Sequence, residues 1–109
     1  MQHQVVSAIP PSQSPQKYKR VAVLGSGSWG TAVAATFARA GVETRIWGRN
    51  AKVCDAINTR HENPDYMPGV TLPKNLRGVH DMRAALDGAE AVAIVVPSRS
   101  VRSVARQMA

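Results

Sequence analysis

Two unbroken apolar runs stand out along the chain, Val21-Ala22-Val23-Leu24 and the six residues from Ala91 to Val96. Short runs without polar alternation suit strands buried on both faces, as the inner strands of a parallel sheet are. Between them, apolar positions recur at helical spacing. Trp29, Val33, Thr36, Phe37 and Ala40 fall on one face of a helix expected over 28–40. Gly41 follows, where a left-handed residue commonly ends a helix. A second strand is expected over 43–48, carrying Ile46 and Trp47. Asn50 reads as the N-cap of a helix over 51–60, with Val53 and Ile57 facing inward. From His61 to Lys74 the chain holds Pro64, Pro68, Gly69 and Pro73, which excludes a regular element. A loop of that length inside a compact domain is usually functional or disordered. A short strand is expected over 75–80, then a short helix capped by Asp81, running to Leu86 and ended by Gly88. After the second apolar run Pro97 stops the strand. Ser98 then caps a last helix with Val101, Val104, Ala105 and Met108 on one face. That helix reaches Ala109 without a termination signal, so the chain reads as cut rather than finished. Residues 1–18 are polar, with Pro10, Pro11 and Pro15 among Ser and Gln, and read as a disordered leader. Residues 19–109 read as one domain, and there is no internal repeat.

The stretch that organises this pattern is Gly25-Ser26-Gly27-Ser28-Trp29-Gly30, directly after the first apolar run and at the start of the first helix. G-x-G-x-x-G in strand–turn–helix context is the dinucleotide-binding fingerprint. Gly25 permits the sharp turn out of the strand, Gly27 lets a pyrophosphate approach the backbone, and Gly30 lets helix and strand pack closely. The free amides at the helix start, with the helix dipole, hold the negative charge. Ser28 serves as a pyrophosphate ligand, as the helix N-cap, or as both. Trp29 either lies over the cofactor at the mouth of the turn or packs structurally. The resulting fold class is α/β, a partial Rossmann fold: a doubly wound parallel sheet of strand order 3-2-1-4. Ligands of such sheets bind at the carboxyl ends of the strands. That places Pro97 as a wall of the site, although ending a strand already accounts for a proline.

The end of the second strand bears on which cofactor fits. A site for NAD wants Asp or Glu there, to accept hydrogen bonds from the adenosine ribose. This chain has Trp47-Gly48-Arg49-Asn50, and its nearest acid, Glu43, lies at the opposite end of the strand. The planar fork of Arg49 suits a 2′-phosphate, so NADP(H) is favoured over NAD(H). Asn50 reads equally as helix cap and as cofactor contact.

Charge and composition change little. A net charge of +7 would suit nucleic acid, but the arginines are scattered and aromatic residues make up only 5%, too few for a stacking platform. A basic surface also suits a phosphorylated cofactor and substrate. No apolar run is long enough to span a membrane and no secretory signal is visible, which predicts a cytoplasmic protein. The single cysteine, Cys54, excludes a disulfide framework and reads as a buried, inert thiol. His3, His61 and His80 show no metal-ligand spacing, and no nucleophile–base pair is visible.

With these residues placed, the chain resembles the N-terminal domain of the bacterial-type NAD(P)-dependent glycerol-3-phosphate dehydrogenases. The matching stretches are Gly-Ser-Gly-Ser-Trp-Gly-Thr-Ala at 25–32, Trp-Gly-Arg-Asn at 47–50, the run from Ile57 to Pro73, and Ala-Ile-Val-Val-Pro-Ser at 93–98. The Asn-x-x-Tyr-x-Pro loop at 63–68 is the most specific of them. The resemblance implies hydride transfer between NAD(P)H and dihydroxyacetone phosphate, giving sn-glycerol 3-phosphate for phospholipid synthesis. It implies NADPH contacts at Ser28, Trp29, Arg49, Asn50 and Tyr66, with Tyr66 folding back over the cofactor; by itself Tyr66 reads as a loop anchor. The family's catalytic lysine, its substrate-phosphate ligands and its helical second domain would lie beyond residue 109, so no catalytic residue is expected here and the chain alone should be inactive. A homodimer and the phosphorylated substrate would belong to the full-length enzyme. Two other readings stay open: a non-catalytic nucleotide-binding module, and the cofactor half of a dehydrogenase for 2-keto or 3-hydroxy acids.

Overall fold

A computed structural model of the chain describes residues 4–7, 18–97 and 100–108. Their elements in order are β1 (Gln4–Ser7), β2 (Arg20–Leu24), α1 (Ser28–Arg39), β3 (Glu43–Trp47), α2 (Ala51–Arg60), β4 (Leu76–Val79), α3 (Met82–Leu86), β5 (Ala91–Pro97) and α4 (Val101–Met108). The strands form one sheet of order β1-β5-β2-β3-β4. β5, β2, β3 and β4 run parallel, in register from Leu24↔Ile94 through Leu24↔Trp47 to Trp47↔Val79. Counted along these four alone, the order is the expected 3-2-1-4.

Of the segment expected to be a disordered leader, residues 1–3 and 8–17 lie outside the described residues, and the described piece 4–7 is a strand. Gln4–Ser7 forms a strand antiparallel to β5, pairing Gln4 with Pro97 and Ser7 with Ile94. Two physical features account for it. The outer edge of β5 offers unpaired backbone groups, and Val5-Val6 is a β-branched pair with high strand preference. Ser98, the expected cap of the last helix, lies outside the described residues.

The apolar run of β2 divides its side chains between two cores, as the pleat requires. Val21 and Val23 face α1 and α2, packing with Phe37, Ile46, Ile57 and Leu76. Ala22 and Leu24 face α3 and α4, packing with Trp47, Ala85, Val96 and Val104. Helices therefore cover both faces of the parallel sheet. On α2, Val53 and Ile57 are buried as expected. On α4 the expected face holds only in part, because Val104 is buried while Ala105 is exposed.

The buried face of α1 differs from the expected one. Gly30, Thr31, Ala34, Ala35, Phe37 and Ala38 are buried, whereas Trp29 and Thr36 are exposed and Val33 is half-buried. Close packing is the reason. A helix lying tightly on a strand presents its smallest residues to it, and these contribute little to an apolar pattern. At its end Gly41 takes the expected left-handed conformation, at φ +91°.

The loop 61–74 is anchored at several points. The Leu72 amide donates to the His61 carbonyl (2.7 Å), and Leu72 is buried. Asn75 Nδ2 donates to the carbonyls of Ala38 and Val42, tying the start of β4 to the end of α1. On the side of β4 away from β3, Asn58 of α2 exchanges two hydrogen bonds with Gly78. Its Nδ2 donates to the Gly78 carbonyl at 2.9 Å, and its Oδ1 accepts from the Gly78 amide at 2.8 Å. A Cβ on Gly78 would lie 2.8 Å from Cys54 Cα, so the glycine lets α2 come this close.

Candidate functional site

The carboxyl ends of β2, β3 and β5 open onto a cleft of about 390 Å³. It lies where the chain winds to opposite sides of β2, the place at which open α/β sheets bind ligands. The turn after β2 contributes Gly25, Ser26 and Gly27, and the end of β3 contributes Trp47, Gly48, Arg49 and Asn50. Tyr66 comes from the long loop, Val95 and Val96 from β5, and Ser100 and Val104 from the start and middle of the last helical segment.

The glycine turn is built as its spacing predicts. Gly25 has φ +129°, and a Cβ there would lie 1.9 Å from the Val95 carbonyl oxygen. A Cβ on Gly30 would lie 1.8 Å from the carbonyl oxygen of Gly25, so α1 sits directly on the turn. Gly27 differs from both: no atom of the described residues lies within 4 Å of where its Cβ would be. The space it leaves opens on the cleft rather than on another part of the protein.

Gly27, and not Ser28, is the N-cap of α1, and no side chain caps the helix. The Thr31 amide bonds back to Gly27 O at 2.9 Å. The amides of Ser28, Trp29 and Gly30 precede any intrahelical acceptor, and an uncapped helix start of this kind attracts anions. The Ser28 hydroxyl is directed elsewhere, donating to the Tyr66 carbonyl at 3.2 Å.

Arg49 is the only charged residue among the described residues that line the cleft. Its guanidinium lies 6.0 Å from the centroid of the Trp47 ring, and Trp47 is itself fixed by Nε1–H donating to the His80 carbonyl at 3.2 Å. No ion pair among the described residues engages Arg49. Glu43 is occupied at the other end of β3, bridging to Arg20 at 2.9 Å. Asn50 is the N-cap of α2, its Oδ1 accepting from the Lys52 amide at 2.9 Å.

Gly25, Gly27, Arg49, Asn50 and Tyr66 are thus brought together around the cleft. Gly30 supports it from beneath. Trp29 is in the first turn of α1, 61% exposed as a residue and not among the lining residues. Pro97 ends β5 one residue beyond Val96, and its side chain lies outside the described residues.

Three contributors were not anticipated. A Cβ on Gly48 would lie 2.2 Å from Ser26 Oγ, so this glycine lets the two turns meet. Thr31 and Asn63 are fully buried and hydrogen-bonded to each other behind the turn. A glycine immediately after a strand and an asparagine three residues past a helix were the available signals.

No histidine, lysine or carboxylate is among the described residues that line the cleft. Apart from Arg49, the described lining residues are apolar, amide, glycine or hydroxyl-bearing (Ser26, Tyr66, Ser100). Among the described residues no cluster of His, Cys, Asp and Glu could hold a metal. Cys54 is buried beneath Gly48, and burial raises its thiol pKa, which keeps it protonated and unreactive at neutral pH. No helix among the described residues is long and apolar enough to cross a membrane.

Fold and cleft together define a Rossmann-type nucleotide-binding domain. The family model for the N-terminus of NAD-dependent glycerol-3-phosphate dehydrogenase matches residues 20–109, and the chain belongs to that family. It is 51% identical over 84 residues to glycerol-3-phosphate dehydrogenase (NAD(P)+) of Streptomyces griseus, covering 77% of this chain and 25% of that protein. It is 48% identical over 90 residues to the enzyme of the same name from Stenotrophomonas maltophilia, covering 83% and 26%. A solved glycerol-3-phosphate dehydrogenase from Saccharomyces cerevisiae superposes with a TM-score of 0.75 at 28% identity, over 84% of this chain and 29% of that one. The chain spans about a quarter of the length of the curated relatives it matches.

Proposed function

We propose that the chain is the cofactor-binding part of a cytoplasmic glycerol-3-phosphate dehydrogenase that takes NADP(H) in preference to NAD(H). The observation that carries this is that, among the described residues lining the cleft, Arg49 is the one charge and none is a carboxylate, while the uncapped start of α1 borders the same cleft at Gly27. The residues fit the cofactor. The amides of the first turn of α1 and the open space at Gly27 suit the pyrophosphate. Arg49, held against Trp47, suits the 2′-phosphate by a bidentate charge-assisted contact. Asn50 and Tyr66 border the adenosine side, and Val95 and Val96 form the apolar floor. The bound dinucleotide supplies the hydride that reduces dihydroxyacetone phosphate to sn-glycerol 3-phosphate. This chain's own residues bind and orient it.

The preference is measured by thermal shift with NADPH and, separately, NADH. A ligand at 100 times its Kd stabilises a fold by about 2.7 kcal/mol, roughly 10–20 °C in Tm for a domain of this size. NADPH should give the larger shift. Arg49→Ala should bring it down to the NADH value, with NADPH affinity reduced about tenfold to a hundredfold. Equal shifts for the two cofactors in the unsubstituted chain would remove Arg49 from this role.

Binding is one matter and turnover another. Reducing a ketone needs a group to protonate the developing alkoxide, and no lysine, histidine or carboxylic acid is among the described residues that line the cleft. The 109-residue polypeptide assayed by itself should bind NADPH and leave it unoxidised in the presence of dihydroxyacetone phosphate. Steady-state oxidation by pure material, at rates well above the protein-free blank, would overturn that expectation.

A further inference from the structure

We propose that Asn63 is a positioning residue for cofactor binding, which joins the glycine turn to the Tyr66 loop as one rigid unit and aims the Gly27 amide at the pyrophosphate. The inference rests on the reading of the cleft as a dinucleotide site. Asn63 has no exposed surface. Both hydrogens of its amide are used: Nδ2 donates to the Ser26 carbonyl at 3.0 Å and to Thr31 Oγ1 at 2.8 Å. Its Oδ1 accepts from the Tyr66 amide at 3.2 Å, and its backbone carbonyl accepts from the Met67 amide at 2.8 Å. Thr31 Oγ1 also donates to Ser26 O, at 3.3 Å. One side chain therefore holds two segments 37 residues apart.

The consequence for the site follows from peptide geometry. In a trans peptide the carbonyl and the next amide point in opposite directions. Two donors, Asn63 Nδ2 and Thr31 Oγ1, draw the Ser26 carbonyl inward. The Gly27 N–H on the same peptide plane is thereby turned away from them, at a residue that lines the cleft. No acceptor for this amide exists among the described residues. On the other side, Asn63 Oδ1 fixes the Tyr66 backbone, whose carbonyl receives the Ser28 hydroxyl. The pyrophosphate donors and the Tyr66 loop are set by one buried amide.

The test uses isothermal titration of the 109-residue chain with NADPH and with adenosine 2′-monophosphate, which engages the Arg49 end and lacks the pyrophosphate. Asn63→Asp keeps the shape and the acceptor for the Tyr66 amide but removes both donors. In the folded variant, NADPH should bind about tenfold more weakly, while adenosine 2′-monophosphate stays within about twofold. Thr31→Val removes the second tether with little change of volume and should weaken NADPH selectively, by a few-fold. It decides the matter if Asn63→Asp does not fold. A folded variant that binds NADPH like the unsubstituted chain would overturn the proposal. So would equal weakening of both ligands, which would mark a merely structural role. An unsubstituted chain that binds neither ligand would instead overturn the reading of the cleft, and the proposal with it.

Discussion

Gly25→Ala will lower the Tm of the chain by well over 10 °C or abolish its cooperative melt. Two costs add at this residue. At φ +129° any side chain strains the backbone, a cost of about 1–3 kcal/mol. The new Cβ would also lie 1.9 Å from Val95 O and 2.8 Å from Val95 C, which are backbone atoms of β5 and not a side chain that can rotate away. Relief requires β5 to move off β2, breaking the register that pairs Leu24 with Ile94, or the turn to release the Gly25 amide from Trp47 O, held at 2.8 Å. A sum of about 3 kcal/mol or more is a large share of the 5–15 kcal/mol that stabilises a typical domain. Circular-dichroism melts of the two chains decide the matter. A Tm within 2–3 °C of the parent, on the scale of a few tenths of a kcal/mol, would mean that the turn is not built this way.

Gly27→Ala should do the reverse, leaving the fold and removing the ligand. This residue has φ −72° and ψ −169°, ordinary for alanine, and no atom of the described residues lies within 4 Å of the new Cβ. The Tm should stay within about 2 °C, since surface changes of this kind are usually worth ±0.5 kcal/mol or less. The methyl group enters the space beside the first-turn amides of α1, where close approach is needed. Crowding of that order costs about 1–3 kcal/mol, or roughly tenfold to a hundredfold in NADPH affinity by titration. Undiminished affinity would place the pyrophosphate elsewhere. The two alanines separate what the fingerprint does for the sheet from what it does for the ligand.

The sheet and its winding were legible because they rest on strong local signals. An apolar run such as Val21–Leu24 has few other solutions, and Gly25, Gly41, Asn50 and Asp81 act within a few residues of themselves. Asp81 indeed caps α3, accepting from the Ala84 amide at 3.1 Å. The buried face of α1 was misread because it is written in alanine, glycine and threonine, whose burial reflects helix–strand distance more than hydrophobicity. β1 was missed because its partner edge is created 93 residues later in the chain, where Gln4 meets Pro97. Within the site, residues acting through backbone geometry or charge could be read directly: Gly25, Gly27 and Arg49. Asn63 could be quoted as part of a motif but not given a task, since its donors meet Ser26 and Thr31 only after folding. Trp29 stands apart for the opposite reason, because aromatic size suggests a contact that its exposed ring does not make within this chain.

The paired amide bonds between Asn58 and Gly78 bear on how the chain behaves in a crowded solution. β4 is the last strand on its side, and a last strand is ordinarily a template onto which a foreign strand adds. At Gly78 both backbone groups that would recruit such a strand are already taken by one side chain of the same molecule. Arg77, exposed beside it, adds a charge to the same strand. The sheet is thus closed to growth at this point by a single asparagine, and self-association through this edge would first require a turn of α2 to let go.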